Sequence, residues 1–235
     1  MTLLDNLKND TQQLANPNKA KDLQRYFKTG KGQYAEGDIF LGLTVPQSRI
    51  IAKKYINLSI THINKLLSST YHEERLIALL IMVHQFALSD DVKKKKLFNL
   101  YLKNTKHINN WDLVDLSAGK IVGAFLFNKD KAILAKLAKS DLLWDRRIAI
   151  IATGYFIAHD KFAKTCDIAR ILLYDKHDLI HKAVGWMLRE VGKRDKKALE
   201  VFLKKYYKNM PRTMLRYAIE KFPENIRKLY LQGNI

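Results

Sequence analysis

A tryptophan and an aspartate four residues apart, Trp111 and Asp115, form the pair in this sequence best suited to chemistry. On a helix this spacing places both side chains on one face. Asp115 stands in the otherwise apolar stretch 113–127, where a carboxylate is costly unless it serves a partner. Together, opposite an arginine that could bind phosphate, the two groups form a candidate site. The structural alternatives are a core position for Trp111 and a helix-start aspartate, and the latter fits Asp112 better than Asp115.

Two further segments, one ending at Arg147 and one containing Trp186, are candidates for contact with a ligand. Arg147 is a candidate phosphate contact that ends the segment 143–147, in which Arg146 and Asp145 could simply pair at the surface. Trp186 follows Gly185, and a glycine inside a helix costs about 1 kcal/mol relative to alanine. Gly185 therefore indicates that something approaches closely, and a neighbouring helix explains this as well as a ligand does.

Other common catalytic and metal-binding patterns are missing from the sequence. His177 and His181 are four residues apart, but no third ligand and no HExxH pattern accompany them. Cys166, the one cysteine, has no histidine or asparagine partner signature and reads as a buried thiol. The sequence also lacks a phosphate loop. We therefore expect neither a metal nor a cofactor.

The elements that must position these residues are predicted to be helices. Only 10 glycines and 4 prolines interrupt the chain, and apolar residues recur at helical spacing. Pro46, Pro211 and Pro223 each stand where a helix could begin. The helices are expected at 2–14, 18–28, 46–56, 60–68, 71–88, 91–105, 111–127, 129–139, 143–158, 161–173, 177–192, 196–207, 211–220 and 223–231. One glycine-rich loop, 29–38, could face DNA or a substrate, or could be a plain connector.

Alanines recur along the chain with a period near 35. Ala149, Ala183 and Ala218 are separated by 34 and 35 residues, and Ala78 precedes Ala149 by 71 residues, which is two periods. Each period holds two helical segments, as is typical of a HEAT-like solenoid, a curved α-α superhelix of stacked helix pairs. The sequence therefore predicts an all-α single domain over 1–235, with an intermediate repeat centred near Val114.

A basic residue precedes each repeated alanine, and these residues are Arg75, Arg147, Lys182 and Arg216. One cation per repeat would draw a line of positive charge along the superhelix, which suits a phosphate backbone. The whole chain carries 42 Lys and Arg against 23 Asp and Glu, a net charge of +19, and its pI is about 9.8. Such a charge favours a polyanion as partner, with nucleic acid ahead of an anionic membrane surface. It argues against a protein–protein scaffold, the other common role of HEAT arrays.

The remaining composition favours a cytoplasmic protein. The first residues lack the basic start and apolar core of a signal peptide. The longest nearly apolar run, 148–158, is about half of the roughly 20 residues that a membrane-spanning helix needs. A single cysteine is consistent with a reducing compartment.

Several segments of this sequence resemble the bacterial AlkD family of DNA alkylation repair glycosylases. The most specific are the Trp-x3-Asp motif at 111–115 and the Lys-Ala-x-Gly-Trp-x-Leu-Arg-Glu motif at 182–190. Further matching segments follow in order over nearly the whole chain, at 25–28, 40–49, 143–149 and 211–219. The resemblance implies a HEAT-like superhelix that excises positively charged N3- and N7-alkylated purines from duplex DNA, with the lesion left stacked and without metal or cofactor.

The same resemblance implies a role for individual residues. It makes Asp115 the catalytic carboxylate, Trp111 and Trp186 the aromatics against the lesion's deoxyribose, and Arg147 a phosphate anchor. Tyr26 matches a tyrosine near the lesion, and Arg189 a contact to the DNA backbone. The implied protein is a monomer of the bacterial cytoplasm that works on nucleoid DNA. Some relatives bind DNA without glycosylase activity, so a non-catalytic binder of damaged or branched DNA is the alternative.

Overall fold

The computed structural model describes residues 2–235 as a succession of helices. Their bounds are α1 Leu3–Gln13, α2 Pro17–Tyr26, α3 Val45–Lys54, α4 Ile60–Leu67, α5 His72–Leu88, α6 Asp91–Lys103, α7 Trp111–Ala118, α8 Ala124–Leu126, α9 Ala132–Ala138, α10 Leu143–Ala152, α11 Gly154–Ile157, α12 Ala163–Ile171, α13 Asp178–Arg194, α14 Lys196–Tyr206, α15 Arg212–Ala218 and α16 Glu224–Gln232. Within residues 2–235 the sole extended pairing is an isolated bridge between Ile39 and Tyr71. The predicted all-α class is confirmed.

Local sequence signals account for where many helices begin. Thr44 accepts a hydrogen bond from the backbone N–H of Gln47, whose side chain reaches back to the N–H of Thr44 and completes a capping box. Pro46 lies in the first turn of α3, where its missing N–H has no partner to lose. Pro211 and Pro223 directly precede α15 and α16, as predicted.

The chain divides into two compact units, Met1–Ser117 and Ala118–Ile235. In the first unit, α5 packs against α3 and α4 and is apolar on most of its faces. In the second unit, α13 is central and packs against α10, α14 and α15. The expectation of one domain over 1–235 stays a prediction.

A loop clamp recurs before three of the helices and defines the repeat. A side chain of the loop, from Ser69, Ser140 or Asp175, accepts a hydrogen bond from the backbone N–H two residues later. The side chain six residues after each of them, Arg75, Arg146 or His181, hydrogen-bonds to the carbonyl of that same loop residue. These positions are 71 and 35 residues apart, in agreement with the period of the alanines.

The clamp corrects the register that the sequence suggested for the basic residues. Arg75 corresponds to Arg146 and His181, whereas the sequence aligned Arg75 with Arg147 and Lys182. Arg75 is also buried, and its guanidinium donates to the carbonyls of Ser69 and Thr70. It therefore takes no part in an exposed line of cations, because its side chain is buried and its charge is paired with Asp38.

Two predicted helices are interrupted in the second unit. The helix expected at 111–127 contains a π-helical turn, Gly119–Gly123, between α7 and α8. A Cβ at Gly123 would overlap the carbonyl oxygen of Ala152, so the glycine allows the π-turn and α10 to approach closely. The helix expected at 143–158 is interrupted at Thr153, whose hydroxyl donates to the carbonyl of Ile150. In the described part of the chain, no helix has the length and apolar character required to cross a membrane.

Candidate functional site

Trp111 lies at the first position of α7 in a cluster of aromatic rings. Its half-buried indole stacks on Phe27, with ring centroids 5.1 Å apart and an interplanar angle of 29°. The indole N–H donates a 3.2 Å hydrogen bond to the hydroxyl of Tyr34. Tyr26, whose side chain is 64% exposed, meets Trp111 edge to face at 6.1 Å. The structure thus brings together the predicted residues Trp111 and Tyr26 and adds Tyr34, which sequence reasoning missed.

Asp115 lies one helical turn after Trp111, and its side chain is half-buried. The pKa of the neighbouring Tyr101 is raised, mainly because its hydroxyl is buried. The hydrogen bond with the hydroxyl of Ser117 opposes this shift, and the negative charge of Asp115 adds to it. Ser117 in turn donates to the carbonyl of Leu113. The carboxylate of Asp115 is therefore partly accessible to solvent, and its charge acts on the buried hydroxyl of Tyr101.

A buried histidine supports the first turn of α7 from behind. The Nε2 atom of His72 lies 2.8 Å from a carboxylate oxygen of Asp112, and its Nδ1 atom lies 3.4 Å from a carboxylate oxygen of Asp38. Burial lowers the pKa of His72, but the charge of Asp112 and its hydrogen bond, with that of Asp38, raise it to about 9. His72 is therefore a cation at neutral pH. Asp112 binds this cation as well as lying near the helix start, where the sequence placed it.

Asp38 is held by side chains from three directions. A guanidinium nitrogen of Arg75 lies 2.7 Å from one carboxylate oxygen, and the amide of Asn109 donates to the same oxygen at 2.9 Å. Burial raises the pKa of Asp38, but the hydrogen bond with His72, the charge of Arg75 and the hydrogen bond from Asn109 lower it below its usual value. The end of the glycine-rich loop is thus fixed as an anion inside the first unit.

The chain after this loop is anchored by a second buried carboxylate. Glu73 accepts hydrogen bonds from the backbone N–H groups of Leu41, Gly42 and Leu43. Gly42 has a φ of +92°, and a Cβ there would overlap the carbonyl oxygen of Asn16, so no other residue fits. The loop is therefore more than a connector, because its residues Tyr34 and Asp38 contact Trp111 and His72.

Trp186 in the second unit has a different environment. Its half-buried indole N–H donates a 3.2 Å hydrogen bond to Glu190, one turn later on α13. Glu190 also pairs with Lys193 at 2.8 Å and with Arg189 at 3.4 Å, and Arg189 forms a further ion pair with Glu220. The predicted residues Trp186 and Arg189 thus share one network of charges on the surface of α13.

The other predicted DNA contacts differ in exposure. Arg147 is buried, and its guanidinium donates a 2.5 Å hydrogen bond to the carbonyl of Leu179. Lys182 is half-buried and lies 2.7 Å from Asp178, whereas Arg216 is exposed on α15. The roles of Arg147, Lys182 and Arg216 in binding DNA stay predictions.

The close approach that Gly185 indicated comes from a neighbouring helix. A Cβ at this position would lie 2.5 Å from the carbonyl oxygen of Met214 and 2.5 Å from the Cβ of Tyr217, both on α15. The glycine therefore serves the packing of α13 against α15. Of the two explanations that the sequence left open, helix packing accounts for this residue.

The remaining reactive side chains have structural partners or a neutral form. His177 accepts a hydrogen bond from the backbone N–H of Leu179 at the start of α13, and His181 belongs to the loop clamp. Burial, with a smaller contribution from Asp167, raises the pKa of Cys166 to about 11, so its thiol stays protonated at neutral pH. Within residues 2–235, no group of three His, Cys, Asp or Glu side chains is arranged to hold a metal ion.

Comparisons with known proteins identify the family and the fold of this chain. The family model of the DNA alkylation repair enzyme matches residues 7–222. A predicted DNA alkylation repair enzyme from Enterococcus faecalis superposes with a TM-score of 0.71 at 16% identity, over 89% of this chain and 97% of its own. AlkD2 from Streptococcus mutans superposes with a TM-score of 0.57 at 17% identity, over 88% of this chain and 98% of its own.

At these identities the two structures show the fold alone, and they confirm the predicted helical-repeat class. None of the curated proteins compared with this sequence matches it. The family is shown by the sequence itself, because the matched segment spans most of the chain and contains Trp111, Asp115 and Trp186. The chain belongs to the DNA alkylation repair enzyme family.

Proposed function

We propose that this protein is a monofunctional DNA glycosylase that releases cationic N3- and N7-alkylated purines, such as 3-methyladenine and 7-methylguanine, from duplex DNA. The observation that carries the proposal is the half-buried carboxylate of Asp115, one helical turn from the anchored indole of Trp111. A carboxylate and an aromatic face on one side of a helix suit a sugar that becomes positively charged. Membership of the family supplies the substrate class.

The proposed reaction is hydrolysis of the bond between the base nitrogen and C1′ of the deoxyribose. The bonding electrons leave with the alkylated purine, which becomes neutral and so needs no protonation. The sugar is left with cationic character, which the negative charge of Asp115 stabilises. Water then forms the new bond to C1′, and its proton passes to Asp115 or to solvent. Because the leaving group is already activated, we propose that neither metal nor cofactor takes part.

The proposed partner is alkylated double-stranded DNA. Support comes from the net charge of +19, which favours a polyanion. We assign contacts with the backbone to Arg147, Lys182, Arg189 and Arg216, and a contact near the lesion to Tyr26. Trp186 joins Trp111 as the second aromatic residue in the proposal, on the basis of the family motif at 182–190. We further propose that the lesion stays stacked in the duplex and that a monomer acts on DNA in the bacterial cytoplasm.

A single-turnover assay on methylated duplex DNA tests the activity. Wild-type protein in excess should release 7-methylguanine and 3-methyladenine, and Asp115→Asn should be slower by about 10²–10³, which is the usual effect of removing one preorganised electrostatic group. Asp91→Asn is the matched control, because Asp91 is an exposed aspartate in the first turn of α6 and should leave the rate unchanged.

The result also separates catalysis from binding. Turnover by Asp115→Asn equal to that of the wild type would remove Asp115 from the mechanism. Tight, salt-dependent binding of DNA with no base release, even with excess protein, would instead favour a non-catalytic binder of damaged or branched DNA. Absence of binding at moderate salt would contradict both functions.

A further inference from the structure

We propose that His72 is a positioning residue for α7, which holds Trp111 and Asp115 in place by tying the first turn of that helix to α5 and to the glycine-rich loop. The consequence for catalysis rests on the proposed glycosylase function, whereas the positioning itself concerns the protein alone. The ring of His72 is 2% exposed and lies behind the aromatic cluster, so it acts through other residues.

The first connection runs through Asp112. This carboxylate follows Trp111 directly and precedes Asp115 by three residues, so it belongs to the same helical turn as both. It lies 2.8 Å from Nε2 of His72, the first residue of α5. The opposite ring nitrogen, Nδ1, faces Asp38 at 3.4 Å. One imidazole ring thus bridges α5, the loop and α7.

The second connection is a stack of rings. The imidazole of His72 stacks on Phe40 with centroids 4.3 Å apart, and Phe40 stacks on Phe27 at 5.1 Å. Phe27 in turn stacks on Trp111 at 5.1 Å. A cation over an aromatic face is stabilised by the electrons of the ring. His72 is therefore connected to α7 in two ways, by its ion pair with Asp112 and by the stacked rings that end at Trp111.

The charges around His72 favour its protonated form. The groups that face it are two carboxylates, Asp112 on α7 and Asp38 in the loop, together with the guanidinium of Arg75 on its own helix. With His72 protonated, two cations balance two anions. Its deprotonation leaves one buried negative charge without a countercharge, which is unfavourable. The pKa of His72, raised to about 9, places this change just above the neutral range.

The position of Trp111 can be followed without any activity. Full-length protein labelled with 5-fluorotryptophan has three sites, Trp111, Trp144 and Trp186, whose ¹⁹F resonances are assigned from single Trp→Phe variants. In the wild type, we expect the Trp111 resonance to move with pH with a midpoint near 9, while those of Trp144 and Trp186 stay constant. In His72→Gln, the Trp111 resonance should be displaced at pH 7 and should no longer titrate.

The matched control is His84→Gln, the same substitution twelve residues later on α5 at a half-buried position. It should leave the Trp111 resonance and its titration as in the wild type. If His72→Gln does not fold, as judged by circular dichroism, the wild-type titration and Asp112→Asn decide the question. A Trp111 resonance that ignores pH between 7 and 10 would overturn the proposal, as would equal displacement in the two histidine variants.

A second measurement connects positioning to catalysis. Under single-turnover conditions, His72→Gln should lower the maximal rate of base release by about tenfold or more, because small misplacement of catalytic groups is costly. Its dissociation constant for duplex DNA should stay within about twofold of the wild-type value, because contacts with phosphates, not buried histidines, dominate DNA affinity. His84→Gln should change neither quantity.

The two measurements fail independently. If the wild type releases no base, the proposed function is wrong, and the ¹⁹F titration still decides the role of His72. If the wild type is active and the Trp111 resonance does not respond to His72, the positioning role is wrong and the glycosylase function stands. A His72→Gln variant with displaced Trp111 and an undiminished rate would show that α7 is positioned by His72 but that this position does not limit catalysis.

Discussion

The two tryptophans proposed to act on the substrate are anchored in very different ways. Trp111 is held by residues distant in sequence, since it stacks on Phe27 and donates to Tyr34, 77 positions earlier in the chain. Trp186 donates to Glu190, four residues later on its own helix, and Glu190 is shared among surface cations. The hydrogen bond of the first indole reaches a distant loop, whereas that of the second stays within its own helix.

This difference indicates which of the two indoles is held more rigidly within its own unit before DNA binds. Moving Trp111 breaks its stacking on the buried ring of Phe27 and its hydrogen bond with Tyr34, and packed interiors resist such changes. Moving Trp186 breaks its hydrogen bond with Glu190, whose carboxylate is partly solvated. We therefore expect the first unit to present a preorganised aromatic and carboxylate pair, while the indole of Trp186 can adjust to the bound duplex.

The strongest test removes the ring that supports Trp111. Phe27→Ala should lower the free energy of unfolding by about 3–5 kcal/mol, because Phe27 is buried and contacts Trp111, Phe40 and Tyr26. Urea denaturation measures the loss. The ¹⁹F resonance of Trp111 should shift while that of Trp186 serves as internal control. Equal shifts of the two resonances would show that the indoles are not anchored differently.

The second test uses pH on the same side of the comparison. The folded-state pKa of His72, about 9, lies above its unfolded value near 6.5. Its contribution to stability is therefore fully present below pH 6.5 and is lost as the pH rises through 9. Over this range the wild type should lose about 3 kcal/mol in free energy of unfolding relative to His72→Gln. Parallel pH profiles for the two proteins would contradict a charged His72.

Much of the fold could be predicted because its signals are local. Capping residues and prolines mark helix starts such as those of α3, α15 and α16, and the period of the alanines marks the repeat. The π-helical turn could not be predicted, because it depends on how closely Gly123 approaches Ala152 on another element. The register of the basic residues was wrong for the same reason, since the clamp that aligns Arg75 with Arg146 is visible only in three dimensions.

The same distinction between local and long-range signals applies to the candidate site. The spacing of Trp111 and Asp115 on one helix is a local pattern and could be predicted. The partners of His72 lie 34 and 40 residues away along the chain, so no local pattern connects them. The one available signal was the charged run at residues 72–75, at the head of an apolar helix, where burying so many charges demands partners.

A third test examines the helix that carries Trp186. Gly185→Ala should lower the free energy of unfolding by about 1–3 kcal/mol, because the added methyl group overlaps Met214 and Tyr217. Gly119→Ala is the matched control, since its methyl group would lie 3.6 Å from the nearest atom and should be tolerated. Urea denaturation compares the two variants. An unchanged free energy of unfolding for Gly185→Ala would mean that α13 and α15 are loosely packed and that the helix carrying Trp186 can shift.

The smallest effects decide the comparison between the two indole hydrogen bonds. Tyr34→Phe removes the acceptor of the Trp111 indole N–H and should cost about 1 kcal/mol of unfolding free energy, the usual net value of such a bond. Glu190→Gln keeps an oxygen that can accept from Trp186 and loses only the partly solvated pairs with Lys193 and Arg189, so its cost should stay below about 0.5 kcal/mol.

The ¹⁹F spectra of these two variants show whether each indole has moved. Tyr34→Phe should displace the Trp111 resonance, because the loop that positions the indole has lost its contact, whereas Glu190→Gln should leave the Trp186 resonance near its wild-type position. The reverse pattern, a tolerant Trp111 and a sensitive Trp186, would mean that the indole of the second unit is the more rigidly held of the two. In that case the aromatic cluster around Phe27 would support the fold of the first unit without holding Trp111 for catalysis.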